Sequence, residues 1–322
     1  MKRKISSRKE KPGTGRKKAA GRKALYKEMW IHRELYFFIL PAFVALIVFS
    51  YVPMYGVLMG FQDVKIGNPI LQNEWVGLKH FVRFFKGAWF SDIMKNTVVT
   101  SLTCQLATWG VSVFLALLLH NTNSPRLKKT SQTLSYIPHL MSTVVVVSII
   151  NVFCAGDSGL INILLRNLGL DTINFFGSRQ WVLPLYLISE IWVSCGYGAI
   201  IYLGTLNSID EEIMEAAKID GAGKLKRIRY IQLPLLTSTM AVMLIMKMGN
   251  VMTLGAEKML LLQTDLNIRS SEVISTYVYK TGVAGGQFGF ATAVGVFQSV
   301  TNLILVLLTN WVCKKLTDTS II

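Results

Sequence analysis

An uncharged apolar run of 25 residues, Leu35–Met59, constrains this chain most. A helix of about 20 apolar residues crosses the hydrocarbon core of a bilayer. Five further stretches have comparable length and apolarity: Thr97–Leu119, Leu134–Cys154, Trp181–Thr205, Thr237–Gly255 and Phe288–Val312. Charged residues make up only 16% of the 322 residues, too few to cover the surface of a soluble protein of this size. The sequence therefore predicts an all-α integral membrane protein with six transmembrane helices.

Positive charge is concentrated at the N-terminus, where residues 1–35 contain 13 Lys or Arg and three acidic residues. A basic tail beside a long apolar run is typical of a cytoplasmic anchor at anionic lipid. The alternative, a nucleic-acid-binding module, would carry interleaved aromatic residues, and this tail has only Tyr26 and Trp30. We therefore expect a membrane anchor and no nucleic-acid partner. The apolar run is too long for a cleaved signal peptide.

The distribution of Lys and Arg predicts the orientation of the helices. The two termini and the segments 120–131 and 206–235 contain 23 of these residues, whereas the segments on the opposite side contain 10. The positive-inside rule then places both termini in the cytoplasm. We predict four regions, namely a basic cytoplasmic tail (1–34), the first transmembrane helix with an external loop (35–95), a transmembrane domain of five helices (96–312) and a cytoplasmic tail (313–322).

The sequence predicts neither an enzyme nor a metal site. A phosphate-binding P-loop requires the pattern GxxxxGK followed by Ser or Thr, and the nearest string, Gly221–Leu225, lacks the first glycine and the hydroxyl. The four histidines have no metal-ligand spacing. The four cysteines lie in or beside apolar runs, as small packing residues do. We expect no cofactor bound to this chain.

The segment 206–235, called loop 206–235 below, is the longest predicted cytoplasmic loop. Ser208 and Glu211 have the S-x-x-E spacing of a capping box, which predicts the start of a short helix. This helix continues through Glu215, Ala216 and Ala217. The two alanines leave a low surface that another protein can approach.

A turn and a second helix follow in the same loop. Asp220 and Gly221 form a turn signal, with φ above zero expected at the glycine. A second short helix is predicted over Gly223–Gln232, and Pro234 suits the first turn of the next span. Loop 206–235 is therefore expected to form a helix–turn–helix at the membrane face.

Loop 206–235 resembles the cytoplasmic loop of the permease subunits of bacterial ABC importers, which has the pattern EAA-x3-G-x9-I-x-LP. The fixed positions of this pattern are filled here by Glu215, Ala216, Ala217, Gly221, Ile231, Leu233 and Pro234. The loop also lies between the fourth and fifth of six apolar stretches, as it does in that family.

Less specific strings resemble the carbohydrate branch of these permeases, in particular those for complex oligosaccharides and polysaccharides. They are Gly77–Phe81, Asn96–Thr97, Tyr136–His139, Val273–Tyr279 and Ala291–Gly295. The resemblance covers the chain from about Leu35 onward and excludes the basic tail. A permease for a non-sugar solute is the alternative.

The resemblance implies a type I ABC importer permease fold in the bacterial cytoplasmic membrane. It implies that loop 206–235 docks on a pair of separate ATPase subunits, which bind ATP-Mg. Glu215 would meet basic residues of the ATPase, and Asp220 and Gly221 would form the turn between two coupling helices. A second permease subunit, an extracytoplasmic solute-binding protein and a carbohydrate substrate would complete the system.

Two charged residues, Glu190 and Lys247, lie within predicted spans. Each is near the middle of a core about 30 Å thick, where a lone charge costs roughly 2.5–3.5 kcal/mol. We predict that these charges pair, or share a hydrated substrate pathway with Tyr186, Trp192 and Asn250, whose side chains suit stacking on and hydrogen bonding to a sugar. The alternative is that Lys247 extends toward the membrane surface and Glu190 bonds within its own helix.

Overall fold

The computed structural model describes residues 30–317, which are almost entirely helical. The α-helices, numbered in chain order, are α1 (Arg33–Leu46), α2 (Lys79–Phe85), α3 (Phe90–His120), α4 (Pro125–Tyr136), α5 (Thr143–Cys154), α6 (Leu160–Asn167), α7 (Val182–Asn207), α8 (Glu211–Ile219), α9 (Lys224–Arg227), α10 (Leu233–Met248), α11 (Ala256–Leu262), α12 (Ile268–Ser271), α13 (Ile274–Val278) and α14 (Phe288–Thr317). Residues 1–29 of the predicted basic tail and residues 318–322 of the predicted C-terminal tail lie outside the described residues.

Shorter elements connect these helices. The 3₁₀ segments are Val52–Phe61, Ile70–Gln72, Ile137–Leu140 and Arg179–Trp181, and the π segments are Ile47–Tyr51, Ile228–Gln232 and Tyr279–Ala284. Two short strands, β1 (Gln62–Asp63) and β2 (Glu74–Trp75), pair antiparallel with Gln62 opposite Trp75. By its internal contacts the chain divides into two units, Met1–Val57 and Leu58–Ile322.

Within the described part of the chain, five helices are long and apolar enough to cross a membrane. They are Arg33–Phe61, Phe90–His120, Arg179–Asn207, Lys224–Met248 and Phe288–Leu316. A sixth candidate consists of two helices, Pro125–Leu140 and Thr143–Cys154, which meet at an angle of 103°. The prediction of an all-helical membrane protein is confirmed, with six spans when the bent pair counts as one.

The prediction of one continuous third span over Leu134–Cys154 is wrong. The backbone becomes extended at Met141 and Ser142, where ψ is 145° and 151°. Pro138 in the preceding 3₁₀ turn cannot donate a helical hydrogen bond. The hydroxyl of Ser142 accepts from the Val145 amide (3.4 Å), and this N-cap starts a new helix.

The predicted fifth span, Thr237–Gly255, is displaced. Helix α10 ends at Met248, and the Asn250 amide donates to the Lys247 carbonyl (3.0 Å) in the turn that follows. Gly249 and Asn250 both favour turns, which explains why the helix stops although the apolar sequence continues. Lys247 consequently lies in the last turn of α10. There its positive charge interacts favourably with the negative end of the helix dipole.

Helices α3 and α7 make the most extensive helix–helix contact in the described part of the chain. The buried face of α3 carries small side chains about one turn apart, Thr97, Ser101, Cys104, Thr108 and Ser112. Small residues allow membrane helices to approach closely.

Two glycines on α7 are the points of closest approach to other helices. A Cβ built at Gly198 would lie 2.4 Å from Ser112 Oγ on α3. A Cβ built at Gly196 would lie 2.0 Å from the Ser135 carbonyl oxygen on α4. Helix α7 is therefore packed directly against both neighbours, with no side chain between it and the α4 backbone.

Candidate functional site

The first helix of loop 206–235 begins differently from the prediction. Asp210, not Ser208, is the N-cap of α8, and the Glu212 amide donates to Asp210 Oδ1 (3.0 Å). The Ser208 hydroxyl instead donates to the Thr205 carbonyl (2.8 Å) at the end of α7. The predicted capping box is wrong, because Ser208 ends the preceding helix and its hydroxyl is hydrogen-bonded there.

The turn after α8 has the predicted backbone conformation. Gly221 has φ of 75°. The Gly221 amide donates to the Lys218 carbonyl (3.1 Å), and the Ala222 amide donates to the Ala217 carbonyl (2.9 Å). These two bonds form a Schellman motif, the helix ending that glycine at this position favours.

Loop 206–235 presents an exposed surface of mixed character. Glu215 and Ala216 are exposed, and Ala217 is half-buried. Two large apolar side chains, Ile219 and Leu225, are 86% and 82% exposed. Exposed apolar side chains next to charged ones are typical of a surface that another protein covers.

The base of the loop is fixed to the helix bundle. Asn121 at the end of α3 and the buried Gln232 exchange two amide hydrogen bonds, Asn121 Nδ2 to Gln232 Oε1 (2.8 Å) and Gln232 Nε2 to Asn121 Oδ1 (3.2 Å). Leu233 packs against a core formed by α3, α7 and α10. The base of the loop is therefore anchored to these three helices by hydrogen bonds and apolar packing.

The connection from α9 to α10 contains the last predicted residues of the loop, Ile231, Leu233 and Pro234. A π turn over Ile228–Gln232 precedes Pro234, which lies in the first turn of α10, as predicted. The Leu233 amide donates to the Ile228 carbonyl, five residues back. The proline has no amide hydrogen and would crowd a regular helix at this point, which accounts for the wider turn.

A second site lies between α3, α7 and the segment after α10. It is a cavity of about 140 Å³, called the polar cavity below. Its wall includes Ser101, Gln105, Thr108, Tyr186, Glu190, Lys247 and Gly255. Three of the five residues predicted for a substrate pathway, Tyr186, Glu190 and Lys247, therefore share one cavity.

The other two predicted pathway residues lie elsewhere. Trp192 lines a separate apolar cavity of about 290 Å³, together with Phe153 and Ile188. Asn250 is exposed, and its Nδ2 donates to the Met246 carbonyl (3.2 Å). Trp192 is two positions from Glu190, so it points away from the Glu190 face of the helix.

Of the two predicted arrangements of Glu190 and Lys247, the direct ion pair does not form, whereas both residues do line the polar cavity. Glu190 Oε2 lies 2.9 Å from Lys258 Nζ, and the Ser194 hydroxyl donates to Glu190 Oε1 (2.9 Å). Lys247 Nζ donates instead to Thr108 Oγ1 (3.0 Å). Lys258 reaches Glu190 because the chain turns back after Met248 and α11 enters the bundle.

Lys258 follows the predicted fifth span, and it was not predicted to lie inside the helix bundle. Its ammonium also lies 4.4 Å from the centre of the Tyr186 ring, and its side chain is 9% exposed. Side chains of α14 hold the segment before it, since Gln298 Nε2 donates to the Met252 carbonyl (2.8 Å) and Asn302 Oδ1 accepts from the Met252 amide (2.9 Å). The apolar residues that follow Lys258, Met259–Leu262, were the available signal of burial.

Comparison with known families gives a direct match. Residues 110–318 match the model of the binding-protein-dependent transport system inner membrane component. The chain belongs to this family of ABC importer permeases. Membership confirms the predictions of a transport permease rather than an enzyme, of an ABC importer permease fold and of a multi-pass inner membrane protein.

Two Bacillus subtilis (strain 168) proteins are similar to this permease over most of its length. The polygalacturonan/rhamnogalacturonan transport system permease protein YteP is 42% identical over 294 residues, which are 91% of this chain and 92% of YteP. Protein LplB is 36% identical over 292 residues, which are 91% of each chain.

Solved structures show the same fold. A chain in the crystal structure of a bacterial ABC transporter that imports the acidic polysaccharide alginate superposes with a TM-score of 0.83 at 33% identity, covering 91% of this permease and 99% of that chain. A second crystal structure, in which the alginate transporter is in complex with an alginate pentasaccharide-bound periplasmic protein, gives a TM-score of 0.83 at 32% identity, covering 92% and 99%.

Proposed function

We propose that this permease forms half of the translocation pathway of a carbohydrate ABC importer, and that loop 206–235 couples transport to ATP hydrolysis by separate ATPase subunits. The observation that carries the proposal is the geometry of loop 206–235. Its two short helices expose Glu215, Ala216 and large apolar side chains, while its base is hydrogen-bonded to a helix that lines the polar cavity. A protein docked on the loop can therefore act on the cavity.

The proposed roles within loop 206–235 follow its geometry. Glu215 contacts basic residues of the ATPase, and Ala216 and Ala217 allow close approach. Asp220 and Gly221 set the angle between α8 and α9. Ile231, Leu233 and Pro234 join the loop to α10.

The proposed substrate is an oligosaccharide or a polysaccharide fragment. The similar proteins named above transport polygalacturonan or rhamnogalacturonan in one case and alginate in another. Tyr186, Glu190 and Lys247 contribute hydrogen-bonding and charged groups to the pathway. Trp192 and Asn250, which lie outside the polar cavity, are proposed to contact the sugar elsewhere on its path.

The proposed assembly contains two ATPase subunits that bind ATP-Mg, a second and different permease subunit, and an extracytoplasmic solute-binding protein. Both termini and loop 206–235 face the cytoplasm, in keeping with the distribution of Lys and Arg. The basic tail lies at anionic lipid. The four regions proposed from the sequence, 1–34, 35–95, 96–312 and 313–322, follow this orientation.

The test is reconstitution of the permease with its partner subunits in proteoliposomes, with uptake of labelled oligogalacturonate as the measurement. We expect uptake that requires ATP and the solute-binding protein, and no nucleotide binding by the isolated permease. The Glu215→Ala variant should lose most of its co-purifying ATPase and its uptake.

The Glu212→Ala variant is the matched control, because Glu212 is an exposed carboxylate on the same helix. It should retain uptake and ATPase binding. Uptake without the ATPase, or saturable binding of ATP by the isolated permease, would contradict the proposed function. Equal behaviour of the two variants would contradict the role of Glu215.

A further inference from the structure

We infer that the polar cavity is an anion subsite, in which the Lys247 ammonium binds the carboxylate of a uronic acid unit of the sugar. The inference rests on the proposed function and adds the charge class of the substrate and the residue that selects it. A cavity of about 140 Å³ has room for about four or five water molecules at roughly 30 Å³ each. It therefore holds one carboxylate with part of its ring, not a whole oligosaccharide.

The charges around the cavity do not balance. Among the described residues that line it, Glu190 alone carries a carboxylate, and that carboxylate lies 2.9 Å from Lys258 Nζ. Glu190 also attracts Lys247 at longer range, but within 4 Å of the Lys247 ammonium the described residues offer no carboxylate. Lys258 does not line the cavity, but its ion pair already balances the charge of Glu190. The Lys247 ammonium is therefore left as a net positive charge inside the bundle, where an anionic ligand can pair with it.

The ammonium of Lys247 is oriented and has unused donors. Its Nζ donates to Thr108 Oγ1 (3.0 Å), and the Thr108 hydroxyl in turn donates to the Cys104 carbonyl (2.7 Å). The hydroxyl oxygen is thereby held as an acceptor. An ammonium has three N–H donors, and the described residues accept only one from Lys247, so two remain for a ligand.

A second donor in the cavity wall lacks a partner. Ser101 is fully buried and lines the cavity, and its hydroxyl has no hydrogen bond to any described residue. Buried hydroxyl groups in folded proteins almost always have a partner. The amide of Gln105, one helical turn further along α3, also borders the cavity. Ser101, Gln105 and Lys247 can together donate to the two oxygens of a carboxylate, in bonds that its charge strengthens.

The experiment uses the reconstituted importer with trigalacturonate and with its fully methyl-esterified form as probes. We expect the Lys247→Met variant to import trigalacturonate at least tenfold more slowly than the wild type at sub-saturating concentration. The Lys247→Arg variant, which retains the charge, should stay within about threefold. Uptake of the ester, which has no free carboxylate, should change less than twofold in either variant.

A double variant tests whether the selective loss of trigalacturonate uptake depends on Lys247 itself, and not on the removal of any charge near the cavity. Glu190→Gln combined with Lys258→Met removes one charge of each sign and leaves Lys247 unpaired. It should keep the wild-type ratio of acid to ester uptake, whatever its absolute rate. Co-purification of the ATPase with each variant checks that the complex assembles.

The outcomes separate this inference from the proposed function. If the wild type takes up trigalacturonate but Lys247→Met loses acid and ester uptake equally, the anion subsite alone is overturned. The same holds if Lys247→Met loses the uptake of neither probe. Equal losses in Lys247→Met and Lys247→Arg would overturn it as well, because charge would not be the cause. Failure of the assembled wild-type importer to take up either probe would instead contradict the proposed function.

Discussion

Gly221 and Gly223 are two glycines of one turn with different backbone requirements. Gly221 has φ of 75°, whereas Gly223, the N-cap of α9, has φ of −62° and an extended ψ of 166°. A Cβ at either position would meet no atom within 4 Å. A side chain added at Gly221 would therefore strain the backbone. A side chain added at Gly223 would cause neither strain nor a clash.

We predict that Gly221→Val uncouples ATP hydrolysis from uptake while the membrane helices stay folded. A β-branched residue at positive φ costs about 1–3 kcal/mol, enough to change the angle between α8 and α9. Uptake per ATP hydrolysed by the reconstituted importer is the measurement, and we expect a loss of severalfold. Gly223→Thr is the control of nearly equal volume and should differ little from the wild type, because Thr is as acceptable as Gly at the N-cap of α9. Normal coupling in Gly221→Val would show that the turn tolerates other conformations.

Residues differ in how far the sequence alone reveals their surroundings. The Gly221 turn was predictable, because a helix ending depends on a few adjacent residues. The partner of Glu190 was not, because Lys258 is 68 positions away and reaches it only through the reversal after Met248. The sequence marks Glu190 and Lys247 as costly charges, but it does not state which lysine is nearer to the carboxylate.

Two glycines of helix α7, Gly196 and Gly204, have different surroundings. Gly196 is buried against the α4 backbone, where a Cβ would lie 2.0 Å from the Ser135 carbonyl oxygen. Gly204, two turns further along, is exposed and has no atom within 4 Å of a Cβ. The first glycine is required by packing, and the second only weakens the helix.

We predict that Gly196→Ala destabilises the permease by about 3 kcal/mol, since inserting a methyl group into a filled space forces backbone shifts. Gly204→Ala adds the same methyl group to the same helix and should be neutral or stabilising by up to about 1 kcal/mol. The apparent Tm of the purified complex in detergent is the measurement. A similar Tm for both variants would mean that α4 can move away from α7 at little cost.

Spans were predictable where apolarity is the only requirement. Helices α3, α7 and α14 coincide with predicted spans to within seven residues at each end, because a bilayer requires little more than length and apolar side chains. The third and fifth spans were not predictable from this signal. The break at Met141 and the helix end at Met248 occur within apolar sequence, where a proline or a glycine and local hydrogen bonds decide the backbone.

At the scale of the whole molecule, the proposed orientation states on which side of the membrane each segment between two spans lies. Ser208, before α8, and Asp265, after α11, are both exposed. They lie in connections before and after the Lys224–Met248 span. A modification at one position and not at the other therefore reports the orientation of that span.

We predict that a membrane-impermeant thiol reagent labels the Asp265→Cys variant in intact cells and leaves the Ser208→Cys variant unlabelled. The four native cysteines are replaced in the background of both variants. The physical reason is the excess of Lys and Arg on the Ser208 side. Permeabilised cells provide the control, in which both variants should be labelled. Labelling of Ser208→Cys first in intact cells would reverse the proposed orientation.

The close approach of α7 to its neighbours has a mechanical consequence. Sliding of packed helices requires a layer of side chains that can exchange rotamers between them. At Gly196 that layer is missing, and at Gly198 it consists of the Ser112 side chain alone, so we expect α3, α4 and α7 to move together as one block. Alternation between outward and inward access then requires hinges outside this block. The described chain offers two, the 103° bend between the helices that end at Leu140 and begin at Thr143, and the turn that follows Met248.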